Sequence, residues 1–183
     1  HYLIPLTDRY VQWCEDAKLL MKNPIDCTID NLGERINGEY SEYSAVLSVD
    51  EGSIFYTSRR IRSDSSNRGY PSDVDGKYYE DIYVSYKDIN GNWQEPEIFQ
   101  YSTRPNEHEA TISVTIDGQT LFLYKDEDGN GDIFQSKLIG DTWTYPERLG
   151  SDINTKAWET HVTLSADGNT LYFVSDRKGG MGG

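Results

Sequence analysis

The run Glu159-Thr-His-Val-Thr-Leu-Ser-Ala-Asp-Gly-Asn-Thr-Leu-Tyr-Phe-Val-Ser175 reads as strand, tight turn, strand, and it occurs three times in the chain. The second copy is Glu109-Ala-Thr-Ile-Ser-Val-Thr-Ile-Asp-Gly-Gln-Thr-Leu-Phe-Leu-Tyr-Lys125. The first is Glu42-Tyr-Ser-Ala-Val-Leu-Ser-Val-Asp-Glu-Gly-Ser-Ile-Phe-Tyr-Thr-Ser58. In each, an Asp follows the opening Glu by eight residues, at Asp50, Asp117 and Asp167. Self-similarity at a period of roughly 50 residues is the mark of a repeat architecture.

Within each copy the apolar positions alternate. They are Tyr43, Ala45, Leu47 and Val49, then Ala110, Ile112, Val114 and Ile116, then Thr160, Val162, Leu164 and Ala166. Alternation predicts a strand with one face on a core. Asp-Gly makes the turn, because Gly tolerates positive φ; the first copy departs with Asp50-Glu-Gly. The second strand, Leu121-Phe-Leu-Tyr or Leu171-Tyr-Phe-Val, is apolar on both faces. Such a strand belongs inside a sheet covered on both sides by stacked neighbours.

A third strand is expected to open at Asp81-Ile-Tyr-Val-Ser and Asp132-Ile-Phe-Gln-Ser, and a fourth, outer strand at Trp93-Gln-Glu-Pro96 and Trp143-Thr-Tyr-Pro146. Four antiparallel strands per repeat at this period predict an all-β chain, a β-propeller of four-stranded blades preceded by one α-helix. Residues 1–28 form the helix and linker. Residues 29–99 form blade one with an insertion at 61–78, residues 100–150 blade two, and residues 151–183 the first half of blade three. About two and a half blades cannot close a ring. The chain is therefore expected to be a fragment of a ring of six, its helix the end of an upstream helical domain. The phrase Asn31-Leu-Gly-Glu-Arg-Ile-Asn37, which leads into repeat one, returns as Arg148-Leu-Gly-Ser-Asp-Ile-Asn154 before repeat three.

The helix is predicted over residues 8–22, with Val11, Cys14, Ala17, Leu20 and Met21 as its stripe, Asp8 as N-cap and Pro24 as terminator. Residues 25–29 have strand character. Cys14 and Cys27 permit one disulfide; the alternative is two small buried apolar side chains.

The net charge of −14 excludes an ordinary nucleic-acid role and disfavours anionic lipid surfaces. No apolar run approaches the roughly 20 residues needed to insert in a membrane. There is no nucleophile elbow, zinc-protease helix or phosphate loop. His161 occupies a strand position, and His108 is expected as a solvated loop residue. Glu42, Glu109 and Glu159 open the innermost strands; each is expected to accept hydrogen bonds from a neighbouring blade. Asp126, Asp128, Asn130 and Asp132 match the first half of a calcium loop, although Lys137 excludes an EF-hand; the alternative is a Gly-rich hairpin with no cofactor. The insertion, with Arg59 and Arg60, concentrates arginines in an acidic chain. Arg59, Arg60, Arg62, Arg68 and Tyr70 are therefore the candidate partner-binding residues, since loops on rigid scaffolds often carry binding; the alternative is a mobile surface loop.

The motifs Ser-x-Asp-Gly-x-x-Leu-Tyr-Phe-x-Ser, Gly-Gly-x-Gly-Gly, Asp-Ile-Tyr, Trp-x-x-Pro and Leu-Gly-x-x-Ile-Asn together resemble the TolB-type periplasmic β-propeller repeats. They are particularly similar to those of the Bacteroidetes OmpA-associated class, which join tetratricopeptide helices, a propeller and an OmpA-like domain. The class includes the PorE-like component of the type IX secretion and gliding apparatus. The resemblance spans nearly all of residues 12–183. It implies a non-catalytic scaffold in the periplasm, associated with the outer membrane. It also implies envelope proteins as partners, with peptidoglycan reached through a domain that these residues do not include. The other reading left open is a carbohydrate-binding or carbohydrate-active propeller, favoured by the 14 Tyr, 4 Trp and abundant acids.

Overall fold

A computed structural model describes residues 3–101, 104–127 and 129–180, without the side chains of residues 3–5. The chain divides into two compact units, with the boundary after Asn31.

In the first unit α1 (Leu3–Leu20) starts earlier than expected, so Asp8 lies inside the helix and does not cap it. The chain passes through Pro5 because the first-turn amides lack helical partners, and a proline there loses nothing. The helix ends in a tightening turn, with Met21 N bonded to Ala17 O at 2.9 Å and Lys22 N to Leu19 O at 3.2 Å, just before Pro24. Tyr10 and Trp13 meet edge to face at 5.5 Å. The strand expected at residues 25–29 is absent, and Ile25 and Ile29 are exposed. Cys14 and Cys27 are free and exposed, so neither the bridge nor the buried-thiol alternative holds.

The second unit is predominantly β, built of antiparallel sheets. The first sheet has the order β1 (Glu42–Leu47), β2 (Ser53–Ser58), β3 (Asp81–Tyr86), β4 (Glu97–Ile98). The second runs β5 (Glu109–Val114), β6 (Thr120–Lys125), β7 (Asp132–Ile139), and β7 then pairs with both β8 (Thr142–Trp143) and β9 (Glu147–Arg148). The third is β10 (Glu159–Leu164) with β11 (Leu171–Ser175). The fourth strand does not open at the Trp-x-x-Pro tryptophans. Trp93 and Trp143 instead close short hairpins on the third strand, and the outer strand starts after Pro96 and Pro146. Proline has no N–H for the ladder, so pairing resumes only beyond it.

The three hairpin turns share one bonding pattern. Ser48, Thr115 and Ser165 donate to Asp50, Asp117 and Asp167 at 2.6, 2.5 and 2.5 Å. The same hydroxyls accept the amides of Ser53, Thr120 and Thr170 at 2.9, 2.9 and 3.0 Å. The hydroxyl first, and then a backbone N–H from Gly52, Gln119 or Asn169 to the same carboxylate, hold all three carboxyls below the usual range. Glu51 takes the left-handed conformation (φ 55°) that Gly118 and Gly168 take in the other copies.

Of the two second strands expected to be covered on both faces, β6 is, with Leu121, Phe122 and Leu123 buried, but β11 is not: its two-stranded sheet packs through Leu171 and Phe173 and leaves Tyr172 and Val174 exposed. β2 is buried on both faces as well. Phe55, Ile82, Val84 and Phe99 of the first sheet pack against Leu121, Leu123, Phe134 and Trp143 of the second. Phe122 and Ile133, on the second sheet's other face, pack with Val162, Leu164 and Phe173 of the third. Ile54 and Tyr56 turn the other way, onto Ile36 and Tyr83. The alternation of the first strands is followed less well. Tyr43, Leu47 and Val49 are exposed, whereas Val162 is buried. Each first strand carries a bulge, which shifts the register partway along. A one-residue shift exchanges the two faces of a strand.

Candidate functional site

The three glutamates are held by their own repeats. Arg60, eighteen residues beyond Glu42, donates to Glu42 Oε1 at 3.1 Å, to Ser58 Oγ at 3.0 Å and to the carbonyls of Arg35 and Ile36 at 3.2 and 2.9 Å. Arg177 repeats the pattern, reaching Glu159 Oε1 at 3.0 Å, Ser175 Oγ at 2.9 Å, Asp152 O at 3.1 Å and Ile153 O. Each guanidinium also stacks on an aromatic ring, Arg60 on Tyr56 and Tyr83, Arg177 on Phe173. The recurring Leu-Gly-x-x-Ile-Asn phrase is thus the carbonyl half of a clasp. Asn154 stitches the third repeat's phrase to β7, accepting from Ile133 N at 2.9 Å and donating to Ile133 O at 2.8 Å. In the second repeat Lys125 stands at the serine position and bonds Glu109 at 2.8 Å and Tyr101 O at 3.4 Å, with Glu127 where the arginine would be. The glutamates do accept hydrogen bonds, but the charged donors come from the same repeat, not a neighbouring one. Between neighbouring first strands the links are hydroxyls: Thr111 donates to Ser44 O at 2.5 Å, and Ser113 to Val162 O at 2.7 Å.

Most of the arginines in and beside the 61–78 segment face inward. Arg59 grips Asp75 at 2.6 and 3.0 Å and Tyr78 O at 2.5 Å. Arg62 is buried and forms a fork with Asp81 at 2.9 and 2.5 Å. Asn67, also buried, accepts from Arg62 N at 2.9 Å and donates to Arg60 O at 3.0 Å. Pro71 bridges to Tyr78. Of the candidate partner-binding residues, Arg59, Arg60 and Arg62 are engaged within the chain, and Arg68 and Tyr70 are exposed.

A cavity of about 340 Å³ lies where the first strand of the second sheet begins; its walls include Tyr43, Glu80, His108, Tyr124, Asp126 and Trp158. His108 does lie in the loop before β5, with its side chain 42% exposed, but it is not simply solvated. Its Nδ1 meets Glu80, and its ring packs on Tyr79 with centroids 4.6 Å apart. The hydrogen bond with Glu80 raises the His108 pKa above its ordinary 6.5, against an opposing effect of burial. Burial pushes Glu80 up, but the bond from His108, a backbone bond and the Tyr43 hydroxyl outweigh it and leave the carboxyl below its ordinary 4.5. Arg59 lies 3.5 Å from the same carboxylate. Trp158 donates its indole N–H to Tyr124 Oη at 2.9 Å. Gly131 makes room for that pair, since a Cβ there would lie 2.4 Å from Trp158 Nε1 and 2.5 Å from Tyr124 Oη. Sequence reading missed this site because its residues come from β1, β5, β6 and four connecting segments; the adjacent acids around His108 were the one local signal.

His161 is in β10 opposite Val174, as expected of a strand residue. Of the calcium-loop residues, Asp128 lies outside the described residues. Asp132 is held by Arg148 at 2.5 Å, and Asn130 donates to Thr155 O at 3.3 Å. Among the described residues no three His, Cys, Asp or Glu side chains are grouped to hold a metal ion, and no helix is long and apolar enough to cross a membrane.

Compared with models of known protein families and with curated proteins, the chain matches none.

Proposed function

We propose that these residues form part of a TolB-type β-propeller, a non-catalytic binding module of an outer-membrane-associated periplasmic protein. It holds other envelope proteins, as a component of a type IX secretion apparatus would. The observation that carries this reading is the row of first strands. β1 adjoins β5 and β5 adjoins β10, each leading its own antiparallel sheet, with Thr111 and Ser113 bonded across. Radial repetition of small antiparallel sheets is how propellers protect their edges. The clasped glutamates support a scaffold, because their carboxylates are already held by cations. Arg68 and Tyr70 offer the exposed edge for a partner.

Affinity capture of the full-length protein from cross-linked envelopes, beside an Arg68→Glu, Tyr70→Ala double variant, tests this. A defined set of envelope proteins lost in the variant is the expected result. The same set retained would keep the module and move the contact elsewhere. No envelope protein with either form would defeat the reading. The cavity walled by Tyr43, Tyr124 and Trp158 favours a second reading, a carbohydrate-binding propeller, because aromatic faces beside carboxylates also suit sugars. Enrichment of glycan in place of protein in the same capture would select it.

A further inference from the structure

We propose that the cavity beside His108 takes the cationic end of a lysine or arginine side chain presented by a partner protein. This rests on the protein-binding reading for the source of that side chain. Three features of the walls point to a cation. First, Oδ1 of Asp126 is buried and accepts no hydrogen bond among the described residues. A carboxylate oxygen removed from water without a donor is costly, and a charged N–H is the strongest remedy. Second, the other acids facing the cavity already have cations of their own: Glu80 has Arg59 and His108, and Glu109 has Lys125. Asp126 feels the charge of His108 at a distance but makes no ion-pair contact of its own among the described residues, so it is the wall carboxylate left for a ligand. Third, Tyr43, Tyr124 and Trp158 supply aromatic surface, and the faces of such rings attract ammonium and guanidinium groups. The indole N–H of Trp158 is already used on Tyr124, so it is not waiting for a sugar oxygen. The chain's charge of −14 draws basic partners toward it from solution.

Calorimetric titration of the protein with N-acetyl-lysine methylamide and N-acetyl-arginine methylamide tests the site, with N-acetyl-norleucine methylamide as the neutral counterpart. Saturable binding is expected for the two cations, with Kd on the order of 1 mM, and none for norleucine. Asp126→Asn should weaken it by about tenfold or more. Trp158→Leu, elsewhere in the lining, should weaken it severalfold; Lys137→Ala, at an exposed position of β7 outside the cavity, should leave it unchanged. Circular dichroism shows whether each variant is folded. If Asp126→Asn is not, Trp158→Leu decides alone. Equal binding of norleucine, undiminished binding by both variants, or heat from chitobiose or calcium chloride without heat from the amides would each overturn the proposal. Envelope partners captured by a protein that ignores the amides would remove this site and keep the binding module. Amide binding without any captured partner would support the site and remove the module.

Discussion

The Lys125 ammonium lies 2.8 Å from Glu109 Oε1, with both side chains buried. This one pair does what Ser58 with Arg60, and Ser175 with Arg177, do in the flanking repeats. Lys125→Ser alone strips the buried carboxylate of its ammonium. Breaking a buried pair from one side costs about 3–5 kcal/mol. Adding Glu127→Arg rebuilds the serine–arginine clasp and should recover at least half of that loss. Urea midpoints of wild type, both single variants and the double variant measure the coupling. Purely additive effects would refute the equivalence of the two clasps.

Glu51 occupies a backbone conformation that its repeats assign to glycine. A side chain with φ of 55° costs roughly 1 kcal/mol against glycine. Glu51→Gly should therefore raise stability by about 0.5–1 kcal/mol, and Gly118→Ala should lower it by about 1 kcal/mol. Thermal unfolding of both variants checks the sign; a destabilised Glu51→Gly protein would count against the turn assignment.

Arg62 and Asp81 form a buried fork that ties the 61–78 segment to the start of β3. Arg62→Ala leaves a carboxylate behind and should cost about 3–5 kcal/mol. Arg68→Ala and Tyr70→Ala, at exposed positions, should stay within about 0.5 kcal/mol of wild type. Limited proteolysis should cut the 61–78 segment in the Arg62 variant first. Equal sensitivity in all three variants would mean that the fork does not order the segment.

The contact between His108 and Glu80 sets a pH window. His108 has a raised pKa when folded, so its contribution is complete below its ordinary 6.5 and is lost as pH rises through the raised value. Glu80 has a lowered pKa, so its contribution is present above its ordinary 4.5 and is lost as pH falls through the lowered value. The stability gap between wild type and His108→Gln should be widest at about pH 5.5 and narrower at about pH 9. A gap that does not change with pH would show that the pair carries no linked proton.

The repeats were legible because the Asp-Gly turns and paired apolar strands are local signals, and Leu121 and Leu123 landed in the core the pattern assigned. The first-strand faces were misread at Tyr43 and Leu47, since a bulge leaves no mark in residue type. The early start of α1 was hidden by Pro5, which ordinarily argues against helix but is tolerated in a first turn. Arg59, Arg60 and Arg62 drew attention as a cluster of charge; that Asp75, Glu42 and Asp81 would meet them depended on contacts 16 to 19 residues away in the chain. Beyond the acids beside His108 the cavity left no mark in the sequence, because Tyr43 and Trp158 become neighbours only when separate sheets stack.

The reach of the arginine clasps has a kinetic consequence. Arg60 finds its carbonyl on Ile36 across 24 residues, and Arg177 finds Ile153 across the same span, whereas the Thr111–Ser44 and Ser113–Val162 links close over 67 and 49. Closing a shorter loop loses less chain entropy, and contacts of low sequence separation form sooner. Each repeat therefore ties its own hairpin before its first strand meets the next, beside the early stitch of Asn154 to Ile133 across 21 residues. The assembly grows by docking pre-tied units, so a lesion in one clasp delays its own unit while the others proceed.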